Sequence, residues 1–276
     1  MSIQKLVTIL INAGIEANEA KREVKMLLEH FCNYTEKDNL LGKEISIEDL
    51  NKIEKKVRLR AKTRMPIQYI IGEAWFMDNY FKVTPDVLIP RDETEILVRK
   101  AIEIIKVINF EDVLDIGTGS GCIACSIAQN TNATVLGVDI SSDALRIALD
   151  NVTRLNINNR AIFRKSDLFN RIREGEVFDL IISNPPYNPL GTELSTEVMH
   201  EPSLALFAEE NGLAVYRKII EEAPKYLSEN GYLMFELGIN EADAVKTMME
   251  KGFKSIEIIK DMAGIDRVII GIYQGK

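Results

Sequence analysis

Asn184-Pro-Pro-Tyr187 is the stretch of this chain whose residue types most directly imply chemistry. It follows the apolar run Phe178–Ser183, which reads as a strand. Two consecutive prolines fix φ and remove two N–H donors, so the backbone presents carbonyls in a rigid arrangement. Asn184 adds a side-chain carbonyl and Tyr187 a flat aromatic face. Acceptors converging beside an aromatic surface suit a planar substrate that carries an NH₂ group. An amide or aryl nitrogen is a poor nucleophile because its lone pair is delocalised. Accepting both of its N–H bonds, at Asn184 Oδ1 and the Pro185 carbonyl, raises electron density on nitrogen and aims its lone pair. Orientation, and stabilisation of the positive charge growing on nitrogen, then do the work of a strong base. That economy matters in a chain with only two histidines, His30 and His200.

The second constellation is Asp115-Ile-Gly117-Thr118-Gly119-Ser120-Gly121, which follows the apolar pair Val113-Leu114 and opens a helix. Glycines there let the backbone turn sharply and let a ligand approach without a Cβ in the way. A dinucleotide fingerprint would need glycine at position 122, which is Cys122. The spacing G-x-G-x-G with an acid two residues earlier resembles S-adenosylmethionine sites, where no pyrophosphate has to be seated. Asp139 ends the next strand and is placed to accept from both ribose hydroxyls. Capping the following helix is its alternative role, for which Ser141 and Ser142 stand better. Asp167 either binds the adenine amino group, with Leu168 packed on the ring, or caps a helix.

These segments need a sheet to hold them. Strand-like stretches run over Val113–Ile116, Thr134–Asp139, Ile162–Arg164, Phe178–Ser183, Tyr232–Glu236, Ser255–Ile259 and Arg267–Tyr273. Helical patterns fill 94–108, 121–129, 142–154 and 211–227. Such alternation predicts an α/β fold with a mainly parallel seven-stranded sheet covered on both faces. An open sheet of this kind places Phe178–Ser183 beside Val113–Ile116, at the crevice where ligands bind. The short link between the last two strands predicts antiparallel pairing.

Upstream, residues 2–64 read as three short helices in a small bundle. Ile3, Leu6, Val7, Leu10 and Ile11 form one stripe, and Val24, Leu27, Leu28 and Phe31 a second. The third starts at Ser46, with Asp49 completing a capping-box-like pattern before Ile47, Leu50, Ile53 and Val57. Gly14 and Gly42 fall in the breaks. Between Gly72 and Pro90, aromatic and β-branched residues flank Asp78-Asn79 and predict a strand pair. The expected organisation is a helical recognition domain over 1–71, a β-hairpin linker over 72–93, and the sheet domain over 94–276.

Composition narrows the function classes. Lys and Arg number 34 against 42 Asp and Glu, a net charge of −8. Residues 1–75 carry 13 basic and 11 acidic side chains, the remainder 21 and 31. A bulk-basic nucleic-acid binder is therefore disfavoured, and direct nucleic-acid binding is not expected. The run Leu6–Ile15 is interrupted by Thr8 and Asn12 and continues into a charged helical pattern, so it reads as an amphipathic helix rather than a signal core. No membrane span, a cytoplasmic location and a monomer are expected. Three cysteines cannot build a dense disulfide framework, and Cys122-Ile-Ala-Cys125 reads as packing against the sheet. His200-Glu201-Pro202 lacks zinc-helix spacing, so no metal is expected. The cluster from Lys55-Lys56 to Lys62 and Arg64 reads as a solvated helix face. The loop containing Arg91, Glu93 and Glu95 either closes over the cofactor or joins domains.

Taken together, these residues resemble the protein-(glutamine-N5) methyltransferases that modify bacterial peptide chain release factors, the PrmC/HemK family. The resemblance extends over the helical N-terminal region, Pro66-Ile-Gln-Tyr-Ile-Ile-Gly72, Leu88-Ile-Pro-Arg91, Asp115–Gly121, Asn184–Tyr187, Glu201-Pro202 and Gly264-Ile-Asp-Arg267. One departure is Asp92, where the family usually has a second proline. The resemblance implies an S-adenosylmethionine-dependent, Rossmann-like fold and methylation of the glutamine side-chain amide in the release factor's Gly-Gly-Gln loop, releasing S-adenosylhomocysteine. It implies cofactor contacts at Gly117 to Gly121, Asp139, Leu168 and Asn184, a substrate site at Asn184, Pro185, Pro186 and Tyr187, and release-factor binding by the helical domain. The rival enzyme methylates an exocyclic amine in DNA or RNA, since those enzymes carry similar tetrapeptides.

Overall fold

Alternation between two apolar layers sets the main sheet. Along the strand Asp112–Ile116, Val113 packs in one buried cluster while Leu114 and Ile116 pack in the other. The computed structural model describes residues 2–275 and divides into two compact units. One comprises residues up to Glu73 together with Leu194–His200; the other comprises Ala74–Glu193 and the chain from Glu201 onward.

The first unit holds α1 (Ile3–Asn12), α2 (Ala17–Cys32), α3 (Glu36–Leu40), α4 (Ile47–Thr63) and α5 (Ile67–Ile71). The bundle therefore has two more helices than the periodicity predicts. Both extra helices, α3 and α5, span five residues, too few to display a repeat. Their signals are local: Thr35 and Asp38 form a capping box, and Pro66 precedes α5, which ends at Gly72. Ser46 accepts from the Asp49 amide at the head of α4, where the capping pattern predicts the start. Leu6, Leu10, Val24, Leu27, Ile53 and Val57 are fully buried, whereas Ile11 and Ile47 lie outside the core, 39% and 79% exposed.

The charged face of α4 is not simply solvated. Lys55 and Lys62 face solvent, but Lys56 Nζ lies 3.8 Å from the Phe31 ring centroid and Arg60 on the same helix is buried. Arg60 donates through Nε and Nη2 to the buried Glu23 carboxylate and through Nη1 to Glu197. Arg64 donates to the same Glu197 oxygen and to the Ala13 carbonyl. Burial raises the Glu23 pKa against the pull of Arg60. Removing one partner of such a pair strands the other charge. Arg60→Ala is therefore expected to destabilise the bundle by about 3–5 kcal/mol. Replacing the pair together, Arg60→Met with Glu23→Leu, should cost much less. Hydrogen exchange of the α2 amides measures both; equal protection in wild type and Arg60→Ala would contradict the assignment.

The second unit begins at Ala74, within the hairpin β1 (Glu73–Phe76) and β2 (Asn79–Lys82), which is followed by α6 (Asp92–Ile108). Asp92 occupies the first position of α6. Proline suits that position because its N–H would be unpaired there, and an acid suits it through the helix dipole. The departure from the family pattern thus leaves the helix start intact. The sheet contains β3 (Asp112–Ile116), β4 (Thr134–Asp139), β5 (Ala161–Lys165), β6 (Phe178–Ser183), β9 (Leu227–Glu236), β10 (Phe253–Lys260) and β11 (Asp266–Tyr273). Two short strands, β7 (Asn188–Pro189) and β8 (Phe207–Ala208), pair separately.

The sheet order is β10-β11-β9-β6-β3-β4-β5. Strands β9, β6, β3, β4 and β5 run parallel, and β11 pairs antiparallel with both β9 and β10, as the short link requires. Helices α7 (Cys122–Asn130), α8 (Ser142–Arg154), α9 (Ser203–Leu206), α10 (Ala214–Glu222) and α11 (Ala242–Met249) complete the unit. Two expectations are corrected. The helix over 211–227 is shorter, because Pro224 converts its end to a 3₁₀ turn, and β9 already begins at Leu227. Helix α11 was not expected, although Ala242, Val245 and Met249 bury one of its faces.

The chain builds outward through β4 and β5, then returns to place β6 on the other side of β3. That reversal opens a crevice at the carboxyl ends of β3 and β6. No helix among the described residues is long and apolar enough to cross a membrane.

Candidate active site

Both sequence constellations emerge at this crevice. β3 ends at Ile116 and leads into the glycine loop; β6 ends at Ser183 and leads into Asn184. Ser183 Oγ donates to the Ile116 carbonyl at 2.7 Å, joining the two exits directly.

Within the loop, Gly117, Gly119 and Gly121 all have positive φ, of 74°, 54° and 78°. The three serve different ends. A Cβ on Gly117 would meet nothing within 4 Å, and one on Gly119 only the Gly117 carbonyl at 3.9 Å. These two glycines therefore border open space that a ligand can enter. A Cβ on Gly121 would come within 3.0 Å of Phe163 and 3.1 Å of Ala148, so this glycine permits close packing of loop and helix.

Asp115 is wholly buried. Thr118 donates to its Oδ2 at 2.6 Å, while Oδ1 has no hydrogen-bond partner among the described residues. Burial pushes this acid up to about 7. Ser120 is also buried, with an unpartnered hydroxyl. Asp139, at the end of β4, accepts from Gly119 N at 2.9 Å and from Ser141 N at 2.8 Å. Ser141 caps α8 by accepting from Ala144 N, so Asp139 is not the cap of that helix. Burial raises the Asp139 pKa.

Asp167 and Leu168 follow β5 in a turn. The Asp167 side chain is exposed, and no helix begins there among the described residues, so the helix-cap alternative has no helix to cap. Leu168 adopts a left-handed φ of 47°, and Ser166 Oγ donates to its carbonyl at 2.7 Å.

Asn184 is half-buried, with Nδ2 3.2 Å from Thr94 Oγ1. Tyr187 packs close to Gly238, and burial pushes its hydroxyl up to about 12. Beside it, Tyr187, Asn188, Leu213, Gly238, Glu241 and Arg267 line a cavity of about 390 Å³.

Several supporting residues escape sequence reasoning. Buried Asn151 donates to the carbonyls of Ser120 and Lys82 and accepts from Lys82 N, tying the glycine loop to β2 and α8. Buried Glu201 accepts from Arg91 at 2.5 Å and from Ile89 N at 3.1 Å, which fixes the Ile-Pro-Arg loop within this unit. Glu95 accepts from Met77 N. Thr94 and Glu236 lie behind Asn184. Thr94 and Glu95 carried only the density of charge around Arg91 as a signal, and Glu201 only its place in Glu201-Pro202; neither revealed these contacts.

The discounted features keep structural partners. His200 Nε2 lies 2.8 Å from the Thr63 carbonyl, and Cys122 and Cys125 are buried free thiols on α7.

Residues 110–267 match a methyltransferase domain model, and residues 3–72 match the PrmC N-terminal domain. A release factor glutamine methyltransferase of Thermodesulfovibrio yellowstonii is 43% identical over 234 residues, 82% of this chain and 83% of its own. The enzyme of that name from Bacillus subtilis is 36% identical over 277 residues, 95% of this chain and 93% of its own. The one from Fusobacterium nucleatum is 40% identical over 83% of this chain, which spans 66% of that longer protein. The chain belongs to the release factor glutamine methyltransferase family.

Solved structures support the same architecture for this family member. A methyltransferase from Pyrococcus furiosus superposes with a TM-score of 0.53 at 22% identity, over 71% of this chain and 89% of its own. A 16S rRNA N2 methyltransferase from Thermus thermophilus, in complex with AdoMet and guanosine, gives 0.54 at 17% identity over 73% and 49%. At such identities the likeness is one of fold.

Proposed function

We propose that this chain methylates the side-chain amide nitrogen of the glutamine in the Gly-Gly-Gln loop of peptide chain release factors, using S-adenosylmethionine. The observation that carries the reading is the meeting of the glycine loop and Asn184–Tyr187 at the ends of adjacent strands, joined through Ser183 and Ile116. S-adenosylmethionine, when bound, supplies a methyl group on a sulfonium that departs as a neutral thioether. Gly117 and Gly119 give it room, Thr118, Ser120 and Gly121 shape the loop, and Asp139, Asp167 and Leu168 hold its nucleoside.

The chain's own part in the reaction is orientation. Asn184 Oδ1 and the Pro185 carbonyl accept the two N–H bonds of the substrate amide, and Pro186 keeps that corner rigid. Tyr187 provides the flat wall against which the amide lies. The nitrogen would gain the methyl group as the sulfonium's S–CH₃ bond breaks, and would then release a proton to solvent water, both acceptors stabilising the charge it carries in between. The helical unit binds the release factor. We propose with it a cytoplasmic monomer that needs no metal and does not bind nucleic acid directly.

Offering labelled methyl donor with a release factor, transfer RNA, ribosomal RNA and DNA side by side tests the substrate class. Label should appear on the release factor alone. Efficient labelling of bare nucleic acid, with none on the release factor, would replace this reading with the exocyclic-amine one.

A further inference from the structure

Behind Asn184 runs a buried hydrogen-bond chain of two steps. Thr94, on the first turn of α6, is 3% exposed, and Glu236, the last residue of β9, is 2% exposed. Thr94 Oγ1 stands 2.5 Å from Glu236 Oε2 and 3.2 Å from Asn184 Nδ2. A hydroxyl has one proton to give, and an ionised carboxylate can only accept. Next to ionised Glu236, the Thr94 proton goes to the carboxylate, and Thr94 can only accept from Asn184. The two ends of an asparagine amide have nearly the same shape but opposite hydrogen-bonding character. With Nδ2 toward Thr94, Oδ1 is free for the substrate. The reverse orientation sets two acceptors against each other in a buried place, at the cost of an unmet hydrogen bond.

We infer that Thr94 and Glu236 are positioning residues that hold the Asn184 amide with its oxygen toward the substrate nitrogen, the ionised form of Glu236 setting that direction. The inference rests on the proposed methyl transfer. A proton taken up by Glu236 reverses the chain. Glu236 then donates to Thr94 Oγ1, Thr94 donates to Asn184 Oδ1, and the amide presents Nδ2 to the substrate, donor against donor. One proton is added and none is lost elsewhere.

Burial pushes the Glu236 acid up to about 7, with Glu93 raising it and Thr94, Arg267 and Arg91 lowering it. The groups facing it are Arg91, Glu93 and Thr94 at the head of α6, Arg267 on β11, Tyr187 after β6, Tyr216 on α10 and Cys122 on α7. Tyr216 donates to the Glu236 main-chain carbonyl and not to its carboxylate. Methyl transfer should therefore fall as pH drops through neutrality.

The test is single-turnover methyl transfer to a release factor at saturating cofactor, between about pH 6 and pH 8.5. Wild type, Thr94→Val, Thr94→Ser and Glu236→Gln are compared, with cofactor affinity measured by calorimetry. At the alkaline end Thr94→Val should be slower by roughly ten- to a hundredfold, with cofactor affinity within about twofold. Thr94→Ser restores the hydroxyl and should recover most of the rate. Glu236→Gln cannot take up the proton and should lose the acid limb. Wild-type rates in Thr94→Val, equal losses in valine and serine, or an acid limb retained in Glu236→Gln would each overturn the inference. If Thr94→Val does not fold, Glu236→Gln decides alone. If the wild type transfers nothing to a release factor, the substrate reading fails. The relay is then judged on the NMR signals of the Asn184 side-chain amide, which must titrate in wild type and not in Glu236→Gln.

Discussion

Asn184→Ala is expected to lower turnover by roughly ten- to a thousandfold while weakening cofactor binding much less. The variant removes the side-chain acceptor and leaves one substrate N–H unpaired in a closed site. An unmet hydrogen bond of that kind costs about 1–3 kcal/mol, and each 1.36 kcal/mol on the barrier is tenfold in rate. Loss of alignment adds to this, because the Pro185 carbonyl alone does not fix the rotation of the amide. Asn184→Asp keeps one oxygen toward the substrate and should retain more activity than alanine. It does not restore the full rate, because its second oxygen meets Thr94 Oγ1 where the wild type offers Nδ2 at 3.2 Å. Single-turnover rates and cofactor titrations on both variants measure the effect. Near-wild-type turnover in the alanine variant would mean that Asn184 does not position the substrate.

Gly119→Val should abolish cofactor binding with the fold preserved. Gly119 has a φ of 54°, and its Cβ would meet only the Gly117 carbonyl, at 3.9 Å. A branched side chain there takes up the ligand's place. It also strains the backbone by about 1–3 kcal/mol, which a domain of ordinary stability survives. Calorimetry should show affinity weaker by at least about a hundredfold, near 3 kcal/mol, while the thermal transition persists. Gly121→Val should behave differently, since its Cβ meets Phe163 and Ala148 and the damage falls on packing. Unchanged affinity in Gly119→Val would remove the loop from the cofactor site.

The two constellations were legible in the sequence because each is local. A strand, its exit and the residues on that exit follow one another, so the pattern at Asp115–Gly121 and Asn184–Tyr187 carries its own context. The supporting residues were not legible, because their partners are distant in the chain. Thr94 meets Asn184 across 90 residues and Glu236 across 142, and Glu201 meets Arg91 across 110. A lone threonine or a strand-ending glutamate has no spacing to betray such a contact. The buried Arg60 was concealed for the opposite reason, since it stands among surface lysines and arginines whose composition resembles a solvated face. Helix α11 lost its signal to length, being eight residues with only three buried. At β9, Asn230-Gly231 interrupts the strand pattern, and Asn230 adopts a φ of 60° inside the strand.

The central claim is a chemical one, that the acceptor is the nitrogen of a glutamine side chain. Tandem mass spectrometry of the release factor after reaction with labelled S-adenosylmethionine tests it most directly. One added methyl should sit on the glutamine of the Gly-Gly-Gln loop, with its label on the side-chain nitrogen, and should accumulate roughly ten- to a thousandfold more slowly with Asn184→Ala. A methyl found on any other residue, or an unmodified release factor beside a methylated nucleic acid, would contradict it.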